Sequence, residues 1–222
     1  LTRHEQAALH AADGYARVSG EVGVAFVTSG PGFTNAITGL ATAYADSIPL
    51  VLISGQVGLP LIGTDAFQEI DLVGITQPIT KWSYQIRRAE DIAYAVARAF
   101  HIATTGRPGP VVLDFAKNAQ NELFEFQPQK ISIARGYIPY PDLNEKQVDE
   151  VANLINESKK PLVLVGQGVI LSNAEKELLA FLEKADIPAA STLLGLSAMP
   201  SDFRLNKRFI GMHGTIAPNK KT

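Results

Sequence analysis

Cysteine is absent from all 222 residues. No disulfide and no thiolate metal site is therefore available, a usage that fits a reducing compartment. The chain also lacks any apolar run near the ~20 residues that cross a bilayer as a helix, and its first residues do not show the basic-then-apolar layout of a signal peptide. Neither charge is in surplus: 20 Lys and Arg against 22 Asp and Glu leave a formal net charge of -2. The basic residues are scattered rather than striped, which argues against nucleic acid or a membrane surface as a partner and makes small-molecule chemistry the default. Several catalytic signatures are missing as well. No Gly-x-Ser-x-Gly surrounds Ser29 or Ser54 and no Gly-Lys-Ser/Thr phosphate loop occurs, which removes serine hydrolases and P-loop nucleotide triphosphatases. Gly166-x-Gly168 has Leu171 where a dinucleotide fingerprint needs its third glycine. His4 and His10, six apart, fall on different faces of a helix, and no metal site is expected in the chain.

What is present is a succession of short apolar strands and amphipathic helices. The central stretch is Gly23 to Asn35. Val24 to Val27 reads as a buried strand ending at Thr28-Ser29, and Gly30-Pro31-Gly32 forms a tight loop delivering a helix with Asn35 near its start. In α/β sheets such loops, at the carboxyl ends of strands, are where ligands bind. Before it, Ala7, Ala8, Ala11, Ala12 and Tyr15 mark one face of a helix from His4 to Arg17. After it, Leu50 to Ile53, Ile79 to Tyr84 and Val111 to Phe115 read as further strands, with a helix carrying Ile92, Val96, Ala99, Phe100 and Ala103 between the last two. Gly58 to Glu69 reads as an irregular surface segment carrying function.

At 46% hydrophobic the chain can build one large or two modest cores, and two are expected. The texture turns to glutamine, asparagine and proline after Asn118. The expected division is a first domain over 1–120, a linker over 121–141 and a second domain over 142–222. The second domain opens with a helix bearing Val148, Val151, Leu154 and Ile155, then a strand to Val165, a helix with Leu178, Leu179 and Leu182, a strand from Ile187 to Ser191, and a loop-rich remainder. The fold class is α/β, with doubly wound parallel sheets. Both ends are expected to be cuts in a longer polypeptide.

Taken singly, most of these features have bland explanations; Glu5, for example, suits the dipole of a first helical turn. Their order is far more specific. Arg3-His4-Glu5-Gln6, Thr28-Ser29-Gly30-Pro31-Gly32, Gly55-Gln56, Gly63-Thr64-Asp65-Ala66-Phe67-Gln68-Glu69, Thr80-Lys81-Trp82 and Arg107-Pro108-Gly109-Pro110 together resemble the acetohydroxyacid (acetolactate) synthase family of thiamine-diphosphate enzymes. Ser191 to Leu196 and Gly211-Met212-His213-Gly214-Thr215 resemble that family's flavin-binding segments. The resemblance covers essentially the whole chain. It implies a pyrimidine-binding domain, missing its amino-terminal part, followed by the first part of a central FAD-binding domain.

The resemblance also implies roles. Glu5 would hydrogen-bond the aminopyrimidine ring of thiamine diphosphate and promote the tautomer that activates the cofactor's reacting carbon. Pro31 and Asn35 would line the pyrimidine pocket, Gln68 would approach cofactor and substrate as a second catalytic residue, and Phe67 and Lys81 would border the substrate channel. FAD would be held by Ser47, Arg107, Gly166, Gln167, Gly168, Thr192, Leu193, Ile210, Gly211, Met212 and His213. The ligands of Mg2+ would lie in a carboxyl-terminal domain outside the chain. The implied reaction decarboxylates pyruvate and condenses the two-carbon unit with pyruvate or 2-ketobutyrate, in branched-chain amino-acid synthesis. The implied partners are 2-keto acids, a homodimer or tetramer with shared active sites and a regulatory subunit. The expected compartment is the cytoplasm, or a plastid in a plant. Phe33 and Gln167 depart from the family's usual small residues, and Gly58-Leu59-Pro60 lacks a basic pair seen in many relatives. Other thiamine-diphosphate decarboxylases or carboligases, such as a flavin-free acetolactate synthase or a pyruvate oxidase, and a non-catalytic truncated module remain as alternatives.

Overall fold

A computed structural model of the protein describes residues 1–131 and 134–220. Ser132 and Ile133, inside the expected linker, and Lys221 and Thr222, at the end of the expected second domain, lie outside the described residues. The chain divides into two compact units, Leu1–Pro141 and Asp142–Thr222.

The first unit runs α1 (Glu5–Ser19), β1 (Gly23–Val27), α2 (Pro31–Ala45), β2 (Leu50–Gln56), α3 (Leu72–Thr76), β3 (Trp82–Ile86), α4 (Ile92–Thr104), β4 (Pro110–Ala116) and α5 (Lys117–Asn121). Its strands form a parallel sheet in the order β1-β2-β4-β3. β2 and β4 open with apolar runs, Leu50 to Ile53 and Val111 to Leu113, because helices cover both of their faces. On one face Leu50, Leu52 and Val112 pack with Leu9 of α1 and Leu40 of α2. On the other, Val51, Val111 and Leu113 pack with Ala95, Ala99 and Ala103 of α4. Because every pair is parallel, the carboxyl ends of the strands share one edge, and the loops after β1 and β2 leave from it.

Packing decides details that spacing left open. The buried face of α1 is Leu9, Ala12, Asp13 and Ala16, whereas Tyr15, expected inward, is 56% exposed. An alanine-rich helix offers more than one small face, and here Leu9, pressed against Gly39 of α2, selects it. The third strand begins at Trp82 rather than Ile79, since Pro78 has no N–H to donate and residues 77–79 form a 3-10 turn. Thr80 Oγ1 closes that turn by donating to Thr76 O at 2.9 Å. Phe33, the family departure beside the Gly-Pro-Gly turn, is fully buried in the α1/α2 core. The end of the expected linker belongs with the first unit: Ala134 is buried, and the Tyr137 hydroxyl donates to Thr105 O at 2.6 Å.

The second unit comprises α6 (Glu145–Glu157), β5 (Val163–Val165), α7 (Gly168–Leu171), α8 (Glu175–Ala185), β6 (Ala189–Ser191), β7 (Asn206–Phe209) and α9 (Ile216–Asn219). Its sheet is parallel in the order β5-β6-β7, with Val165, Leu182, Ala189, Met199 and Leu205 as its core. β7 lies in the stretch read as loop, because Asn-Lys-Arg-Phe carries neither an apolar run nor alternation. In α6 no residue is buried, and the expected inward Val148, Val151 and Leu154 are exposed.

Candidate active site

The site is assembled at the carboxyl edge of the first sheet. His4 caps α1: its backbone is extended and its Nδ1 accepts from Gln6 N at 3.1 Å, which starts the helix at Glu5 and puts that carboxyl in the first turn. Since α1 packs on α2, the first turns of the two helices meet. Asn35 Nδ2 donates to Glu5 Oε2 at 3.0 Å. This hydrogen bond is the main cause that holds the Glu5 carboxyl below its ordinary range, followed by its own backbone N–H and, weakly, His4. A Cβ placed on Gly32 would stand 3.4 Å from Glu5 Oε1 and 2.5 Å from Thr28 Cγ2, so the missing side chain keeps the surface beside the carboxyl open.

Gly30, the residue before α2, has φ 59° and ψ -120°. Its missing side chain is required twice. L side chains avoid that backbone geometry, and a Cβ there would lie 2.8 Å from Gln68 Cα and 2.8 Å from Gln68 O. Gln68 itself has φ 63°, an uncommon conformation for a non-glycine residue and one concentrated at functional sites. The structure thus brings Glu5, Pro31, Asn35 and Gln68 together, with Phe67, 88% exposed, next to Gln68.

Lys81 is not part of this group. It directly precedes Trp82, which pairs with Val111 at the start of β4, so it sits at the amino edge of the sheet. Its ammonium donates to Ile102 O, to Thr105 O at 2.6 Å and to the Tyr137 hydroxyl at 2.9 Å. An ammonium has three donors, and all are committed. The substrate-channel role expected for Lys81 is therefore corrected to a structural one.

Ser47 and Arg107 meet each other, also before the strands that follow them. Arg107 Nε donates to Ser47 Oγ at 2.6 Å and its Nη2 reaches Ala45 O at 3.2 Å, while Nη1 has no partner among the described residues. That leaves one nitrogen of this exposed guanidinium to meet an anion. In the second unit, Gly166 to Gly168 follow β5, Thr192 and Leu193 follow β6, and Ile210 to His213 follow β7, so all three loops share one carboxyl edge. Thr192 N donates to Val165 O at 2.8 Å and Ile210 N to Ser191 O at 2.9 Å. Asn219 clamps Gly211, accepting from its N at 2.9 Å and donating to its O at 3.0 Å.

Residues 1–75 match the family described as thiamine pyrophosphate enzyme, N-terminal TPP binding domain, and residues 148–222 match the thiamine pyrophosphate enzyme central domain. The chain belongs to the thiamine pyrophosphate enzyme family. It is 50% identical over 223 residues to a probable acetolactate synthase large subunit of Methanocaldococcus jannaschii, covering 99% of this chain and 38% of that protein. It is 49% identical over 218 residues to the acetolactate synthase large subunit of Corynebacterium glutamicum, covering 98% of this chain and 35% of the relative. With the Escherichia coli acetolactate synthase isozyme 3 large subunit it shares 48% identity over 222 residues, covering 99% of this chain and 38% of the relative. The chain thus spans about two fifths of the length of these curated relatives.

Two acids of this thiamine pyrophosphate enzyme chain were not singled out in the sequence. Glu69 gathers backbone amides of the loop before it. Asp114, within β4, is fully buried; its Oδ2 accepts from Gln85 Nε2 at 2.8 Å and its Oδ1 has no partner among the described residues. Burial pushes its carboxyl up to about 6, against the lowering effect of the Gln85 and Gln56 amides. The available signal for Asp114 was an acid interrupting the apolar run Val-Val-Leu-Asp-Phe. For Glu69 it was an acid closing a glycine-containing loop.

Proposed function

We propose that this chain is part of an acetolactate synthase catalytic subunit, which decarboxylates pyruvate and joins the two-carbon unit to a second pyruvate or to 2-ketobutyrate. The observation that carries the reading is the Glu5–Asn35 pair set beside the side-chain-free surface of Gly32. That arrangement fits an aminopyrimidine ring: a carboxyl fixed at one oxygen, its other oxygen facing a flat opening, and a helix N-terminus alongside. Thiamine diphosphate, when bound, supplies a carbon nucleophile for the 2-keto acid and a sink for the electron pair left by carbon dioxide.

Glu5 holds the proton exchanged with the pyrimidine nitrogen at Oε1, while Asn35 fixes Oε2 and thereby the plane of the carboxyl. Its lowered pKa in the open site keeps Glu5 ionised at neutral pH; covering it with a ring removes water and favours the protonated form that can donate. Pro31 and Gly32 shape the floor, Gln68 hydrogen-bonds cofactor or substrate from above, and Phe67 excludes water from the acceptor side. No protein nucleophile is required.

The same reading includes FAD, with the loops after β5, β6 and β7 as its residues in the second unit, and Mg2+ held by residues outside this chain. It includes a dimer or tetramer with shared active sites. The naming of relatives as large subunits supports a regulatory subunit as a further partner. A cytoplasmic or plastid setting belongs to the same proposal, and the 222-residue chain alone is expected to be inactive.

The test is Glu5→Gln in the whole enzyme. Acetolactate formation should fall by a factor of about 10² or more, the usual scale for losing a positioned acid-base group, with bound flavin absorbance unchanged. Wild-type turnover in that variant would refute the assignment.

A further inference from the structure

The segment between β2 and α3 carries Phe67 and Gln68, yet its only regular feature is a 3-10 turn at Leu59–Leu61. Two side chains shape it. Gln56, the last residue of β2, donates Nε2 to Ile70 O at 2.9 Å and accepts from Val57 N at 2.9 Å through Oε1, bridging both ends of the loop. Glu69 organises the interior. Its Oε1 accepts from Gly63 N, and its Oε2 accepts from Thr64 N at 3.2 Å and Ala66 N at 3.2 Å. Backbone amides converging on one anion form a nest, and charge-assisted hydrogen bonds of this kind are stronger than neutral ones.

We propose that Glu69 is a positioning residue for the thiamine-diphosphate site: its carboxylate gathers the amides of Gly63, Thr64 and Ala66 and so fixes Phe67 and Gln68 above Gly30 and Pro31. The proposal rests on the function inferred above. Gln68 keeps its unfavourable φ of 63° only because its surroundings over-determine it. Gly30 supports it from below through a contact that admits no Cβ, and the Glu69 nest restrains the chain just ahead of it. The Gly63 amide, foremost among its partners, holds the Glu69 carboxyl below its ordinary range, so the nest keeps its anion at neutral pH. Nothing in this role requires Glu69 to touch cofactor or substrate.

Glu69→Gln in the holoenzyme tests it. The carboxamide is nearly isosteric, but it has one acceptor oxygen and turns an NH2 group toward amides that donate. Amide hydrogen exchange in peptides spanning 58–71 should quicken roughly tenfold or more, and kcat should fall on the order of tenfold to a hundredfold, the scale of a small misplacement near the chemistry. Thiamine diphosphate affinity should change by less than about threefold, because Glu5, Asn35 and Gly32 hold the pyrimidine. Glu69→Asp keeps the charge and should recover part of both the exchange protection and kcat. It also serves as the test variant if the glutamine form fails to fold. Unchanged loop exchange in Glu69→Gln, or a loosened loop with wild-type kcat, overturns the proposal. So does a loss confined to cofactor affinity. Glu5→Gln run in parallel separates the two readings: full activity there removes the proposed function, while loop exchange reports the Glu69 nest independently of turnover.

Discussion

At the carboxyl edge of the first sheet, side chains lock loops from several directions. Asn35 holds Glu5, Gln56 bridges Val57 and Ile70, and Glu69 collects amides of its own loop. At the equivalent edge of the second sheet, the loops after β5 and β6 are tied mainly by backbone hydrogen bonds, with Asn219 clamping Gly211 after β7. Leu193 and Met212 stand 66% and 91% exposed there. The first unit therefore fixes these loops with its own side chains, and preorganisation of that kind is where catalytic positioning comes from. The second unit offers an open rim, whose apolar residues lose their exposure only when something covers them. The proton transfer proposed for Glu5 at the first edge and the flavin proposed at the second suit that difference.

The comparison is broken most severely at glycine. Gly30→Ala introduces a Cβ into a φ of 59° and against the Gln68 backbone. Backbone strain and overpacking each cost about 1–3 kcal/mol. Acetolactate formation by the whole enzyme should drop below detection, and in the 222-residue chain the denaturant midpoint followed by fluorescence of Trp82, its only tryptophan and part of the first unit, should fall. In the second unit a Cβ at Gly168 meets nothing within 4 Å, so Gly168→Ala should leave the thermal midpoint unchanged or raise stability by up to about 1 kcal/mol. Equal losses at both positions would erase the distinction between a closed and an open edge.

The strand-loop-helix around Gly30-Pro31-Gly32 was legible because its cues are local: an apolar run, glycines where the backbone turns, and a proline that fits a first helical turn; the burial expected of that strand is corrected, since β1 lies at the sheet's edge with Val24 and Phe26 exposed. The parallel α/β class followed from the alternation of such units. The rest depends on partners distant in the chain. Asp114 acquires its meaning from Gln85, 29 positions away, and the inward face of α1 depends on Gly39 in α2. Lys81 was assigned by resemblance to the substrate channel, but the pairing of Trp82 with Val111 puts it at the other edge of the sheet. β7 carries no strand pattern of its own, and pairing with β6 creates it. Glu69 lies inside the Gly63-to-Glu69 motif, but the convergence of three amides on its carboxylate is a feature of the folded loop that spacing does not carry.

A second, smaller break concerns charge inside the first core. Asp114 has its carboxyl raised from 3.8 to about 6, so the folded state favours its protonated form. Stability linked to Asp114 is fully present below about pH 4 and is lost as pH rises through 6. The difference is at most about 3 kcal/mol, at 1.36 kcal/mol per pKa unit. Glu5, Glu69 and Glu122 are shifted the opposite way and lose their contribution as pH falls through their lowered values. Subtracting Asp114→Asn from wild type at each pH cancels those. Urea unfolding monitored by Trp82 between pH 4 and 7 should show wild type losing ground to the variant as pH rises. A flat difference would mean that Asp114 is hydrated or paired in solution.

The smallest effect should come from α6, and it sharpens the contrast between covered and uncovered helices. In α1, Leu9 is fully buried against α2, and leucine-to-alanine changes at such sites cost roughly 2–5 kcal/mol. Leu154 lies on the apolar face of α6 but is 66% exposed, so Leu154→Ala removes little buried surface. Alanine's higher helix propensity offsets part of what is lost. The expected change is within about 0.5 kcal/mol, read from hydrogen exchange of peptides covering β5 and β6, which reports the second unit without relying on tryptophan. A cost approaching that of a core leucine would show that Val148, Val151 and Leu154 are covered in solution. The openness of the second unit would then be confined to the loops after its strands.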